Sequence, residues 1–130
     1  MKIESLSYVS IETTDLQEWD DYAQNVVGLM KNELLSDDHN LFLRMDEKAF
    51  RFHIQTGDSK KFIAAGLNIR DKEEFEAAKN ELTSANVEFE NFSDELIAAR
   101  CVENGIALKD PAGNVLEISY GGADADEPFS

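Results

Sequence analysis

The sequence is 130 residues long, 42% hydrophobic and 30% charged, which is the size and balance of one globular domain able to bury a core of its own. Its 27 Asp and Glu against 12 Lys and Arg leave a formal net charge of −15, a surface that repels nucleic acid and anionic membrane alike. The longest apolar runs, such as residues 62–65, are too short to span a bilayer, and residues 1–5 lack the basic-then-apolar layout of a signal peptide.

The acids are scattered along the chain, so their simplest role is solubility, with a salty habitat as a further possibility. The single cysteine, Cys101, cannot form an internal disulfide and suits a reducing cytoplasm. Neither histidine is near it in sequence, so it reads as a small core hydrophobe before it reads as a nucleophile.

Residues 6–12 alternate, with Val9 and Ile11 on one face and Tyr8, Ser10 and Glu12 on the other, the period of a strand with two different faces. Asp15 with Glu18 three residues on forms a capping box for a helix whose stripe is Leu16, Trp19, Tyr22, Ala23, Val26 and Val27, ended by Gly28. Residues 30–35 are compatible with a short strand, and 36–40 are turn material. Leu41, Leu43 and Met45 then alternate with Phe42 and Arg44. After a turn at Asp46 and Glu47, Phe50, Phe52 and Ile54 alternate with Arg51, His53 and Gln55 as far as Gly57. The first half therefore reads βαβββ.

The second half repeats this plan. Residues 62–69 form a strand with Ala65, Leu67 and Ile69 on one face. Asp71 and Glu74 start a helix with a buried stripe of Phe75, Ala78, Leu82 and Ala85, and Asn86 is the residue to end it in the left-handed region. Residues 87–89 read as a short strand and 91–99 as an irregular or helical connection. Residues 100–109 and 114–120 make a hairpin across Asp110-Pro111-Ala112-Gly113.

The caps Asp15 and Asp71 are 56 residues apart, an offset that carries Tyr8 onto Ala64, Val9 onto Ala65 and Ile11 onto Leu67. At the far end an offset of 64 carries His53 onto Glu117 and Gly57 onto Gly121. The extra eight residues fall in the connection around 91–99. Identity between the halves is low, so the repeat rests on the order of elements and faces. It divides the chain into module one (1–58), module two (59–122) and an acidic tail or linker (123–130). The apolar pairs Val9/Ile11, Phe52/Ile54, Ala65/Leu67 and Leu116/Ile118 are expected to pack on the helices. Tyr8, His53, Ala64 and Glu117 are left on the opposite, concave faces, where a ligand would sit.

The helix followed by Gly28-Leu29, the stretch Leu43-Arg44-Met45-Asp46 and the terminal run from Asp110 through Glu117 to Gly121 resemble the vicinal oxygen chelate superfamily. Within it, residues 6–11, 15–19 and 43–46 are most similar to the N-terminal domain of type I extradiol ring-cleaving dioxygenases of the dihydroxybiphenyl dioxygenase kind, and Glu127 to Ser130 resembles the linker into their second domain. The resemblance implies an α+β fold of two βαβββ modules forming a cupped mixed sheet. It also implies a C-terminal catalytic domain or homo-oligomer as partner. In that catalytic domain Fe(II) is held by two histidines and a glutamate, and the matching positions here are Tyr8, Ala64 and Glu117. Alanine has no donor atom and a neutral phenol is a poor ligand, so no iron site, no cofactor and no catalytic residue are expected in this chain.

Two further readings stay open. A stand-alone dimeric protein would hold a small aromatic molecule between Tyr8, Phe42, His53 and Glu117. A glyoxalase-like metal lyase would need more donors than these positions offer. His53 and Glu117 as a two-ligand remnant would bind metal weakly, and a hydrogen bond from His53 to a carboxylate such as Glu117, or an ion pair of Glu117 with Arg51 or Arg44, is the simpler expectation. His39 reads as a solvated loop residue, and Trp19 and Tyr22 as core.

Overall fold

The computed structural model describes residues 1–126 and residue 128. Glu127, Phe129 and Ser130, three of the four residues read as the start of a linker, lie outside the described residues. In chain order the elements are β1 (Ile3–Thr13), α1 (Leu16–Tyr22), a π-helical turn (Ala23–Val27), β2 (Met30–Lys31), β3 (Asn40–Arg44), β4 (Phe52–Thr56), β5 (Lys61–Ile69), α2 (Lys72–Ser84), β6 (Glu90–Asn91), α3 (Asp94–Arg100), β7 (Asn104–Lys109) and β8 (Val115–Tyr120). The class is α+β. Two compact units arise, one of Tyr8–Ile63 with the residues from Asp124, the other of Met1–Ser7 with Ala64–Ala123.

In the first unit the strand order is β2-β3-β4-β1, with β4 parallel to β1 and antiparallel to β3. Asp15 accepts a hydrogen bond from the Glu18 backbone N–H at 3.0 Å, the expected cap of α1. Leu41, Leu43 and Ile54 pack with Ala23, and Ile11, Leu16, Trp19, Leu29 and Phe52 close around them. The far end of the predicted helical stripe departs from expectation. Tyr22, Val26 and Val27 are exposed at 54, 69 and 55%. The helix widens to a π turn after Tyr22, with the Gly28 N–H reaching back five residues to the Ala23 carbonyl. One extra residue in a turn rotates all that follow by about 100°, which rolls both valines off the core. The predicted strand over 30–35 shortens to β2, because Asn32 turns the chain by accepting the Leu35 N–H on its side chain and the Ser36 N–H on its carbonyl.

In the second unit the order is β5-β8-β7-β6, with β8 parallel to β5 and antiparallel to β7. The repeat holds at the level of single residues. The pairs Val9↔Phe52, Ser10↔His53 and Ile11↔Ile54 in the first unit become Ala65↔Leu116, Gly66↔Glu117 and Leu67↔Ile118 in the second, as the two offsets require. Asp71 caps α2 by accepting from the Glu74 N–H at 2.9 Å. Phe75, Ala78 and Leu82 bury against Ile69, Ile106, Ile118 and Tyr120. Ala85 is exposed, since it is already the C-cap, and Asn86 ends the helix at a φ of 57°.

Two boundaries move. The edge strand is Glu90–Asn91, not 87–89, because the Val87 N–H is still bound to the Leu82 carbonyl of the helix end. Arg100, expected to open the hairpin strand, closes α3, which Ser93 caps through the Leu96 N–H. Gly105 on β7 carries no side chain because Phe92 lies flat on it: a Cβ there would stand 2.3 Å from a ring carbon.

Phe75 is fully buried, with its ring 5.0 Å from that of Tyr120. Phe75→Ala should therefore cost about 3–5 kcal/mol, read as a lower urea midpoint at unchanged slope.

Candidate functional site

The strand register decides what surrounds His53. Ser10 is its partner on β1 and Phe42 its partner on β3, and directly opposed residues share a face. The Phe42 ring lies parallel to the imidazole, with centroids 4.4 Å apart and planes within 1°. Ser10 Oγ is 3.3 Å from Nδ1, and Asn40 Oδ1 is 2.8 Å from Nε2. The Asn40 amide is oriented from its other side, where Nδ2 donates to Asp37 Oδ1 at 3.2 Å. With the Asn40 oxygen thus turned to the ring, Nε2 carries a proton and donates to it, while Nδ1 faces the Ser10 hydroxyl, which is able to donate or accept.

Asp37 anchors this chain of contacts. Its Oδ1 also accepts the backbone N–H groups of His39 and Asn40, at 2.9 and 2.8 Å. The His39 N–H and the Asn40 amide hold its carboxyl below the usual carboxylate range. Tyr8 and Phe50 complete the cluster: the Phe50 ring centre is 5.3 Å from that of Tyr8 and 5.1 Å from that of Phe42. Tyr8, Phe42, Phe50 and His53 are each buried. Phe50 does not follow the face of Phe52 and Ile54, as strict alternation predicts. The chain bends at Arg51 before β4 begins, and the bend turns the Phe50 ring to Tyr8 and Phe42.

Glu117 belongs to the second unit, on β8 opposite the buried Gly66. Its carboxylate is gripped by Arg100 from the end of α3, with Nε to Oε1 at 2.8 Å and Nη2 to Oε2 at 3.2 Å. Both side chains are only 6% exposed, so each ion depends on the other for the solvation it has lost. The expected cations are drawn elsewhere. Arg51 makes a forked contact with Asp46, five residues back in the same hairpin, and this guanidinium lowers the Asp46 pKa. Arg44, itself buried, donates to the carbonyls of Lys48 and Asp46.

Iron chemistry does not fit these donors. Ala64 is a fully buried methyl, and both oxygens of Glu117 accept from a guanidinium. The buried Tyr8 brings a neutral phenol packed on Phe50. Among the described residues no group of three His, Cys, Asp or Glu side chains is placed to hold a metal ion. Burial pushes the Cys101 thiol up, which disfavours the nucleophilic thiolate. His39 is exposed, and its carbonyl accepts from Thr56.

Sequence reading brings Tyr8, Phe42 and His53 into one cluster but misses Ser10, Asn40 and Phe50 within it. Ser10 was within reach, being the residue whose offset partner is Gly66. Arg100 was hidden by its assignment to a strand.

The depressed Asp37 pKa fixes the sign of a pH effect. A carboxyl more acidic in the folded than in the unfolded chain stabilises the fold above its unfolded value, and that contribution is lost as pH falls through the folded value. Wild type should therefore be more stable than Asp37→Asn at pH 6, and the gap should close at the acid end of a urea-denaturation series. A gap that is constant with pH would contradict the assignment.

Residues 6–57 match the domain family described as dihydroxybiphenyl dioxygenase BphC D1. Over 123 residues the chain is 33% identical to the iron-dependent extradiol dioxygenase of Rhodococcus jostii (strain RHA1), covering 95% of this chain and 41% of that protein. It is 34% identical over 130 residues to biphenyl-2,3-diol 1,2-dioxygenase of Pseudomonas sp. (strain KKS102), covering 99% of this chain and 44% of that protein. A crystal structure of catechol 2,3-dioxygenase superposes with a TM-score of 0.94 at 29% identity, over all of this chain and 46% of the other. The chain thus spans less than half the length of these relatives. Residues 6–57 thus match a domain of dihydroxybiphenyl dioxygenase, and over nearly its whole length the chain is similar to part of the extradiol dioxygenases and has the vicinal oxygen chelate fold.

Proposed function

We propose that this chain acts as the non-catalytic N-terminal domain of an extradiol dioxygenase, an enzyme that adds both atoms of dioxygen beside the diol of a catechol. The observation that carries the reading is the donor set. A methyl at Ala64 and a carboxylate already engaged by Arg100 leave the inward strand positions without the two-imidazole, one-carboxylate set that ferrous iron requires. The chain's share of its relatives' length supports a partner domain that supplies the ligands, with a homo-oligomer as the other candidate partner. On this reading residues 1–122 are the domain, 123–130 lead toward the catalytic domain, and no cofactor is bound here. The cytoplasm, where the lone Cys101 stays reduced, is the proposed location.

The domain's own residues would then contribute shape. The ring cluster around His53 and the Arg100–Glu117 pair fill strand faces that would otherwise be open. The competing proposal is a small aromatic guest held by Tyr8, Phe42, His53 and Glu117. Such a guest would have to part rings that already pack on one another.

The test is reconstitution of the 130-residue chain with Fe(II) under anaerobic conditions. Iron content should stay far below one per chain, no ring-cleavage product should form from catechol or biphenyl-2,3-diol, and neither compound should raise the melting temperature. One iron per chain, lost in Tyr8→Phe, would overturn the proposal. A saturable thermal shift with a catechol, abolished by Phe42→Ala, would favour the aromatic guest.

A further inference from the structure

We propose that α3 is a strap closed over the polar strand face of the second unit, and that the Arg100–Glu117 pair is its latch. The helix lies between β6 and β7, in the part of the chain where the second module is longer than the first. Seven residues of helix are too few to persist alone in water, so α3 holds its place through its attachments. These are concentrated at its two ends. At the start, Phe92 lies on Gly105 and its N–H donates to the Gly105 carbonyl at 2.9 Å. At the finish, Arg100 grips Glu117. Between them Leu96 and Ile97 are half-buried, while Asp94, Glu95, Ala98 and Ala99 face water.

What lies on the strand face works against closure. Glu117 and Ser119 are two apart on β8 and so point to the same side. Ser119 is 1% exposed, and its hydroxyl has no hydrogen-bond partner among the described residues. Closing the strap therefore dehydrates a carboxylate, a guanidinium and an orphaned hydroxyl, and all three regain water on opening. The apolar core of the unit is not involved. Phe75, Ile106, Ile118 and Tyr120 pack on the opposite face of the same strands, so the strap is able to open while α2 stays docked. Release of the latch would uncover a small polar face built by Glu117, Ser119 and Gly66.

Cys101 reports on this motion. It is the residue that ends α3, at a φ of 57°, it is half-buried, and it is the sole cysteine of the sequence. The experiment labels the native 130-residue chain with a thiol reagent across a series of low urea concentrations and follows amide hydrogen exchange in parallel. In wild type, labelling should be slow, with a rate that barely changes with urea while the amides of α2 stay protected. In Arg100→Met and in Glu117→Gln, Cys101 should label about tenfold faster or more, with α2 and β8 protected as before. Equal loss of protection in α2 would overturn the proposal, as would unchanged labelling in Glu117→Gln. Should Arg100→Met fail to fold, Glu117→Gln and the wild-type urea series still decide. A wild-type rate that climbs with urea as steeply as global unfolding counts against the strap.

Discussion

Parallel pairing of the first and last strands of each module is the constraint from which the rest follows. Because β4 lies beside β1 with His53 opposite Ser10, and β8 lies beside β5 with Glu117 opposite Gly66, every residue's face and neighbours are set by two numbers, the register of each pair. A slip of one residue in either would move the apolar set that meets the helices to the other side. The capped helices Asp15 to Tyr22 and Asp71 to Ser84 serve this pairing, since a parallel connection needs a crossover long enough to bring the chain back.

The same register gives both modules one problem, which they solve by different chemistry. Each places a polar side chain on a strand face that ends up buried. At His53 the cost is met by uncharged neighbours: Ser10 on one nitrogen, Asn40 on the other and a parallel phenyl ring on the flat side, with the Asp37 carboxylate behind Asn40. At Glu117 it is met by charge, with a forked guanidinium carried in by a helix that the first module lacks. A network spread over several partners tolerates the loss of one member better than a buried ion pair does, because removing one ion strands the other. The first solution is therefore distributed over several partners, the second centred on one ion pair.

These differences also explain which features the sequence revealed. Period and capping are local, so β1, β5, α2 and the hairpin around Asp110 were legible. The turn residues there even bind as expected, with the Gly113 N–H on the Asp110 carbonyl at 2.9 Å. The offsets of 56 and 64 matched β1 to β5 and β4 to β8, but that Ser10 lies against His53 and Gly66 against Glu117 came only from the strand pairing. What failed was set by geometry that leaves no periodic trace. A π turn after Tyr22 exposes two valines that an ideal helix buries, a bend at Arg51 turns Phe50 to the other face, and Arg100 lies in a stretch whose polar and small residues read as easily as strand or loop. The guanidinium that completes Glu117 is 17 residues away, brought there by tertiary packing alone.

The division of β1 between the two units has a consequence for how the protein is made. Residues 1–7 precede Tyr8 to Thr13 in the same strand, yet they cluster with residues 64–123, through contacts such as those of the Met1 amine with Glu81, Lys2 with Glu74 and Glu4 with Asn68. During synthesis Val9 to Thr13 are thus able to pair with β4 once Thr56 has emerged, while residues 1–7 stay unmatched until Asn68, Glu74 and Glu81 follow. Through that interval the exposed Leu6 and Ile3 form an unpaired strand end. The acidic character of the whole polypeptide, 15 negative charges in excess, supplies the mutual repulsion that keeps neighbouring nascent chains from pairing there instead.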